Sequence, residues 1–183
     1  MGSKPIVVVF GATGKQGEAV AKALLKDKSK YEVFGATRNP ESHESKQMQA
    51  LGAKLIKADL NDKDSIRAAV KGAHAVFLVT KTSYSVKDVY GTELAQIKNL
   101  ADACLEARVE KVVFSTMPKD IKVPGLPVEQ LESKADGFEY MKAISLPIVG
   151  VMLTYYFENV LEGYFRVKKE DGVYGLGKQK FMI

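Results

Sequence analysis

Val7-Val8-Val9-Phe10-Gly11-Ala12-Thr13-Gly14-Lys15-Gln16-Gly17 reads as a strand that runs into a glycine-rich turn and straight on into a helix. The apolar run Ile6–Phe10 has strand length, and a strand apolar at every position needs cover on both faces, as a central parallel strand has. Without a Cβ, Gly11 and Gly14 can take positive φ and let the backbone approach a pyrophosphate, while Gly17 lets the helix from about Lys15 pack closely on the strand. The first turn of that helix offers amide donors and the positive end of the helix dipole, a setting that suits an anion without a charged side chain. The spacing is G-x-x-G-x-x-G, not the G-x-G-x-x-G of the general dinucleotide fingerprint, so the strand before and the helix after carry much of the weight. A structural turn with no ligand is the competing reading.

Outward from this stretch, the 183 residues, 46% hydrophobic and 27% charged, suffice for one globular domain with a sizeable core. No apolar run approaches the roughly 18 residues of a membrane span, and Met1 leads through Gly2, Ser3 and Lys4 directly towards a strand, so a cytoplasmic place is expected, with the nucleus as a second option. The single cysteine, Cys104, excludes an internal disulfide, and with His43 and His74 it makes a poor zinc set, so no metal is expected. The formal charge of +5 is spread along the chain without a basic block, which reads as solvated helix faces and a mildly positive anion cleft; neither nucleic acid nor membrane is an expected partner.

Taken in order, a first helix over about 15–26 carries Val20, Leu24 and Leu25 on one face, and a strand over 31–37 delivers Arg38 about 20 residues beyond the glycines. An acidic residue there would hold the ribose 2′-hydroxyl of NAD; Arg38 instead offers a planar set of donors for a 2′-phosphate and favours NADP. The alternative is a surface arginine opening the polar loop 39–45, in which His43 is exposed. A short helix over 45–51 precedes a strand over 54–58 that ends at Asp59 and Leu60, where the adenine is expected to pass; equally, Asn61 or Asp62 caps the next helix. The fourth strand, 73–79, opens with His74 and ends at Thr80-Lys81-Thr82, followed by a loop long enough to cover a ligand. In the long helix after it Leu94, Ile97, Leu100, Ala101, Cys104 and Leu105 trace one apolar stripe, which makes Cys104 a core thiol. A fifth strand over 112–114 ends at Ser115 and Thr116, and the prolines Pro118, Pro124 and Pro127 keep the next stretch out of a helix interior. Ser133 and Asp136 resemble a capping box, which puts Lys134 in a first helical turn, an unfavourable place for a cation unless an anion or a polar cofactor group compensates. Strand six is 148–153. Alternation of strands and helices argues an α/β, Rossmann-type doubly wound parallel sheet with right-handed crossovers.

The segments Gly11-Ala12-Thr13-Gly14-Lys15-Gln16-Gly17, Thr37-Arg38-Asn39-Pro40, Glu132-Ser133-Lys134 and Tyr156-Phe157-Glu158-Asn159, in this order and spacing, resemble the NmrA-like family of the atypical short-chain dehydrogenase/reductase superfamily, with its animal NADP-binding redox sensors nearest in pattern. The resemblance covers nearly the whole chain. It implies that Gly11, Ala12, Thr13, Gly14, Lys15, Gln16 and Gly17 hold the pyrophosphate, and Arg38 with Asn39 the 2′-phosphate. Asp59 and Leu60 would face the adenine, and Thr80, Lys81 and Thr82 the central ribose. Lys134 with Tyr156, Phe157, Glu158 and Asn159 would meet the nicotinamide.

Two departures from the family follow. Its members run to about 300 residues, so the chain divides into an NAD(P)-binding part over 1–160 and, over 161–183, the start of a smaller substrate-side lobe that is truncated or missing, leaving an apolar surface exposed. Dehydrogenases of the superfamily use Tyr-x-x-x-Lys, yet the residue four before Lys134 is Gln130; the second Tyr-x-x-x-Lys, Tyr164 to Lys168, follows strand six instead of strand five and reads as chance. The resemblance therefore points to an NADP(H)-binding redox sensor that signals to a regulatory protein partner, with a homodimer as a further option and no assigned catalytic residue beyond a weak candidacy of Lys134. The alternative is an NADPH-dependent reductase of a small carbonyl, enone or quinone.

Overall fold

The computed structural model describes residues 3–27, 29–119, 128–154, 156–161, 167–170 and 173–176. They fall into two compact units, Met1–Met152 and Leu153–Ile183. In the first unit β1 (Ile6–Phe10) leads to α1 (Lys15–Leu25), β2 (Glu32–Thr37), α2 (His43–Leu51), β3 (Lys54–Lys57), α3 (Lys63–Val70), β4 (Ala75–Leu78), α4 (Val89–Glu106), β5 (Lys111–Thr116), α5 (Glu129–Ala143) and β6 (Ile148–Met152). The strands form one parallel sheet in the order β3-β2-β1-β4-β5-β6, a Rossmann-type α/β fold as its alternating pattern requires. The chain goes outward from β1 in one direction, then returns to β4 on its other side. The point of reversal lies at the carboxyl ends of β1 and β4, where doubly wound sheets take their ligands.

Alternate residues of β1 feed two cores, which is why the run is apolar throughout. Val8 and Phe10 pack with Val76, Leu78, Val112 and Phe114 beneath α3, α4 and α5, while Val9 joins Ala21, Leu25, Met48 and Phe77 beneath α1 and α2. Wholly buried side chains of this size each stabilise the fold by about 1.5–3 kcal/mol. At the sheet edge β6 leaves Val149 50% and Met152 54% exposed.

Two helix starts differ from the sequence reading, and at the first the difference comes from a cap. Helix α2 begins at His43, two residues before the expected Ser45, because the hydroxyl of Ser42 accepts from the amide of Ser45; His43 is helical, exposed and bonded to Gln47. Helix α5 begins at Glu129, so Ser133 is inside it and is not a cap, and Lys134 lies beyond the first turn. Of the alternatives for α3, Asp62 is the cap, its carboxylate accepting from the amides of Asp64 and Ser65. Helix α4 buries Ile97, Leu100, Ala101 and Cys104 as expected, but Leu105 is exposed and Glu93 is buried in its place. Among the described residues no helix is long and apolar enough to cross a membrane.

The second unit holds α6 (Glu158–Leu161) and the antiparallel pair β7 (Val167–Glu170) and β8 (Val173–Leu176). The proline-bearing stretch 120–127 and Tyr164 lie outside the described residues, as do the side chains of Gln130 and Lys168.

Candidate functional site

The glycine turn closes on itself through backbone atoms. Gly11 has φ +74°, and its amide neighbourhood is tight: a Cβ there would stand 2.7 Å from Val79 Cγ1 and 3.1 Å from the Val79 carbonyl oxygen. Gly14 does not use the positive φ open to it. It is the extended N-cap of α1, at φ −102° and ψ 167°, and its amide donates to the Gly11 carbonyl at 2.9 Å. An extended cap is what lets the next residue turn into the helix, so positive φ is needed only once, at Gly11. Gly17 is the most constrained of the three, since a Cβ would sit 2.1 Å from the Gly11 carbonyl oxygen. Gly14 has no side chain with which to cap α1, and the first helical bond runs from the amide of Glu18 to the Gly14 carbonyl, so the preceding amides lie outside the ladder at the positive end of the dipole. Ala12 is buried against the α1 and α2 core, and Thr13 and Lys15 are exposed.

Neighbouring strand ends bring further expected residues to this edge. Arg38 is exposed just beyond β2, on a loop that the buried Ser45 pins from below: its hydroxyl donates to the Asn39 carbonyl at 2.8 Å and to Thr37 Oγ1 at 3.3 Å, and the Asn39 amide donates to Thr37 Oγ1 at 3.2 Å. Beyond β3 the carboxylate of Asp59 accepts from the Asn61 amide and side chain, and the Leu60 carbonyl accepts from Asn99, so both residues do structural work there. Beyond β4, Thr80 is only 6% exposed and its hydroxyl has no hydrogen-bond partner among the described residues. A buried orphan hydroxyl at the reversal point, beside a helix start with no side-chain cap, fits a bound polar ligand such as a dinucleotide. Lys81 is exposed.

Farther along the same edge lies a buried ionic cluster that the sequence reading missed. Lys134 Nζ pairs with Glu93 Oε1 at 2.5 Å and donates to Thr82 Oγ1 at 3.1 Å. The other carboxylate oxygen of Glu93 accepts from Ser133 Oγ at 2.7 Å, and the Thr82 hydroxyl lies 3.1–3.2 Å from both. Glu93 is 2% exposed and Lys134 8%. The anion that a buried cation calls for is thus the protein's own. Thr116 at the end of β5 fixes the backbone of α5 by donating to the Lys134 carbonyl at 3.0 Å.

Packing of α4 on α5 sets this register. A Cβ on Gly137 would stand 2.6 Å from Ile97 Cγ2, so the two helices meet there, and one turn earlier on each the same faces present Glu93 and Ser133. Tyr90 donates to Asp136 at 2.8 Å and Tyr140 to Asp102 at 2.6 Å on the flanks, and each carboxylate raises the pKa of its phenol. Glu93 did leave a signal in the sequence: it occupies the stripe of Ile97, Leu100 and Cys104 at i+4, i+7 and i+11, and an acidic residue there must find a cation or hydrogen-bond donors. Burial pushes the Cys104 thiol up to about 12, the mark of an inert core thiol. Tyr156, Phe157, Glu158 and Asn159 belong to the second unit, where the Asn159 amide donates to the Tyr156 carbonyl and Phe157 is exposed.

Comparison with known proteins agrees with this fold. A sequence profile of the NmrA-like family matches residues 3–178. An NmrA-like family domain-containing protein of Dictyostelium discoideum is 33% identical over 175 residues, covering 90% of this chain and 55% of that protein. An NmrA-like family domain-containing oxidoreductase of Penicillium ochrochloron is 36% identical over 116 residues, covering 62% and 35%. Among solved structures, NmrA, a negative transcriptional regulator, superposes with a TM-score of 0.71 at 25% identity, covering 86% of this chain and 48% of that one. The same regulator has been solved with NADP (TM-score 0.69, 23% identity, 82% and 45% covered) and with NAD (TM-score 0.73, 23% identity, 86% and 48% covered). The chain spans about half the length of these relatives, or less.

Proposed function

The chain belongs to the NmrA-like family, and from that premise we propose that it binds NADP(H) and acts as a sensor of the NADPH/NADP balance that reports to a protein partner. In this reading the amides of the glycine turn hold the pyrophosphate, and Arg38 with Asn39 receives the 2′-phosphate. Asp59 and Leu60 flank the adenine, Thr80 to Thr82 the ribose, and Lys134 the nicotinamide end. Preference for NADP rests on Arg38, whose charge-assisted hydrogen bond is worth about 1.5–3 kcal/mol, or roughly 10- to 150-fold.

Sensing in preference to turnover is supported by one observation, the commitment of the Lys134 ammonium to Glu93 and Thr82. Hydride reduction of a carbonyl leaves an alkoxide that needs a positioned proton donor, a contribution of about 10² to 10⁴-fold. Gln130 stands where a tyrosine would supply that proton, and an amide cannot. The second reading, an NADPH-dependent reductase of a small carbonyl, enone or quinone, is favoured by the relative named as an oxidoreductase.

Calorimetry of NADP and NAD against the chain and Arg38→Ala tests the cofactor assignment: the variant should lose the NADP preference and keep its affinity for NAD, and equal loss for both would make Arg38 structural. Protease sensitivity with NADPH or NADP, beside a screen of NADPH oxidation against aldehydes, enones and quinones, separates the two readings. Different digestion patterns with no steady-state oxidation are expected; robust turnover that collapses in Lys134→Ala would establish the reductase.

A further inference from the structure

We propose that Glu93 sets which redox form of the dinucleotide this site prefers, by cancelling the charge of Lys134 where the nicotinamide is expected. The inference rests on the cofactor reading above and extends it to a residue that need not touch the cofactor. Three donors, from Lys134, Thr82 and Ser133, converge on the Glu93 carboxylate, and it is almost wholly buried, so it cannot swing out to solvent and leave the ammonium alone. The pair is formally neutral. A nicotinamide ring carries one positive charge when oxidised and none when reduced, so the net charge of residues 93 and 134 acts on NADP and leaves the NADPH ring almost untouched. An unpaired ammonium in a partly buried site would disfavour NADP, and an unpaired carboxylate would favour it. A protein that distinguishes the two forms needs such a difference in affinity, because a ligand acts on an equilibrium only through differential binding.

Titration calorimetry with NADP, NADPH and adenosine 2′,5′-bisphosphate, which lacks the nicotinamide, tests this in the folded chain, with thermal melts as a check on folding. Glu93→Gln keeps the shape and removes the charge; it should weaken NADP relative to NADPH by roughly tenfold, the scale of one unit charge at an intermediate dielectric, and leave the bisphosphate unchanged. Lys134→Met should move the NADP to NADPH ratio the opposite way, which keeps the test readable if Glu93→Gln does not fold. Ser133→Ala, which removes a hydrogen bond and no charge, should lower the melting temperature and leave the ratio alone. Shifts in the same direction for Glu93→Gln and Lys134→Met, or no shift in either, would overturn the proposal while bisphosphate binding upheld the cofactor reading. If the unmodified chain binds none of the three ligands, the cofactor reading fails and this inference with it.

Discussion

At the glycine turn the deciding contacts are between backbone atoms of residues 11–17 and the end of β4, whereas at Lys134 four side chains from the 80–88 loop, α4 and α5 converge on one ion pair. The first region works because side chains are missing, the second because they are present. Adding a single carbon should therefore do the most harm at one, and removing a charge at the other. Under the proposed reading each region would also recognise differently: backbone amides and a dipole suit any phosphate, while the net charge of Glu93 and Lys134 would act on the charge of what is placed against them.

The largest effect expected is at the side-chain end. Glu93→Ala leaves the Lys134 ammonium buried without its counterion and should destabilise the fold by about 3–5 kcal/mol. Urea unfolding measures this; a loss below about 1 kcal/mol would mean that the cluster is wet and weak, and would break the contrast. Next comes the backbone end, where Gly17→Ala puts a Cβ 2.1 Å from a carbonyl oxygen that cannot move without opening the turn. A cost near 3 kcal/mol is expected, the upper end of overpacking. Its control is Gly14→Ala, whose Cβ meets the Gly11 oxygen at an ordinary 3.4 Å and should stay within about 1 kcal/mol of the parent in stability while weakening the nucleotide. Equal behaviour of the two glycine variants would show that the turn is not built as described.

The smallest effect concerns the seam on which the side-chain end is mounted. Cys104 lies on the same helix as Glu93 and is wholly buried. Its thiol would ionise near 9.0 in the unfolded chain, whereas the folded one keeps its proton to about 12. Above pH 9 the folded state therefore binds more protons than the unfolded state, and stability should fall as pH rises from there, with the contribution fully present below pH 9. Unfolding free energies of the chain and of Cys104→Ala between pH 8 and 10.5 give the comparison. The variant should show the shallower decline; parallel slopes would mean that water reaches the α4 seam.

Much of the fold was legible because its signals are local. An apolar run, a glycine with positive φ at its end, a helix start and an arginine about twenty residues on are properties of short segments, governed by backbone sterics and by which face of an element must leave water. The parallel, doubly wound arrangement followed from the alternation of strands and helices and from crossover handedness. Less legible were details that depend on a cap or on a neighbour. Gly14 could have taken positive φ and is an extended N-cap, and Ser133 with Asp136 looked like a cap and is helix interior.

By itself, then, the sequence determined the parallel sheet and the place of the glycine turn between β1 and α1, since each depends on residue type and near spacing. Only the tertiary structure decided that Glu93, Thr82, Ser133 and Lys134 meet. The meeting of Glu93 with Ser133 and Lys134 depends on the rotation of α4 against α5, which is set where Ile97 fills the space left by Gly137, and no local pattern encodes these contacts, made across 40 and 41 positions of chain.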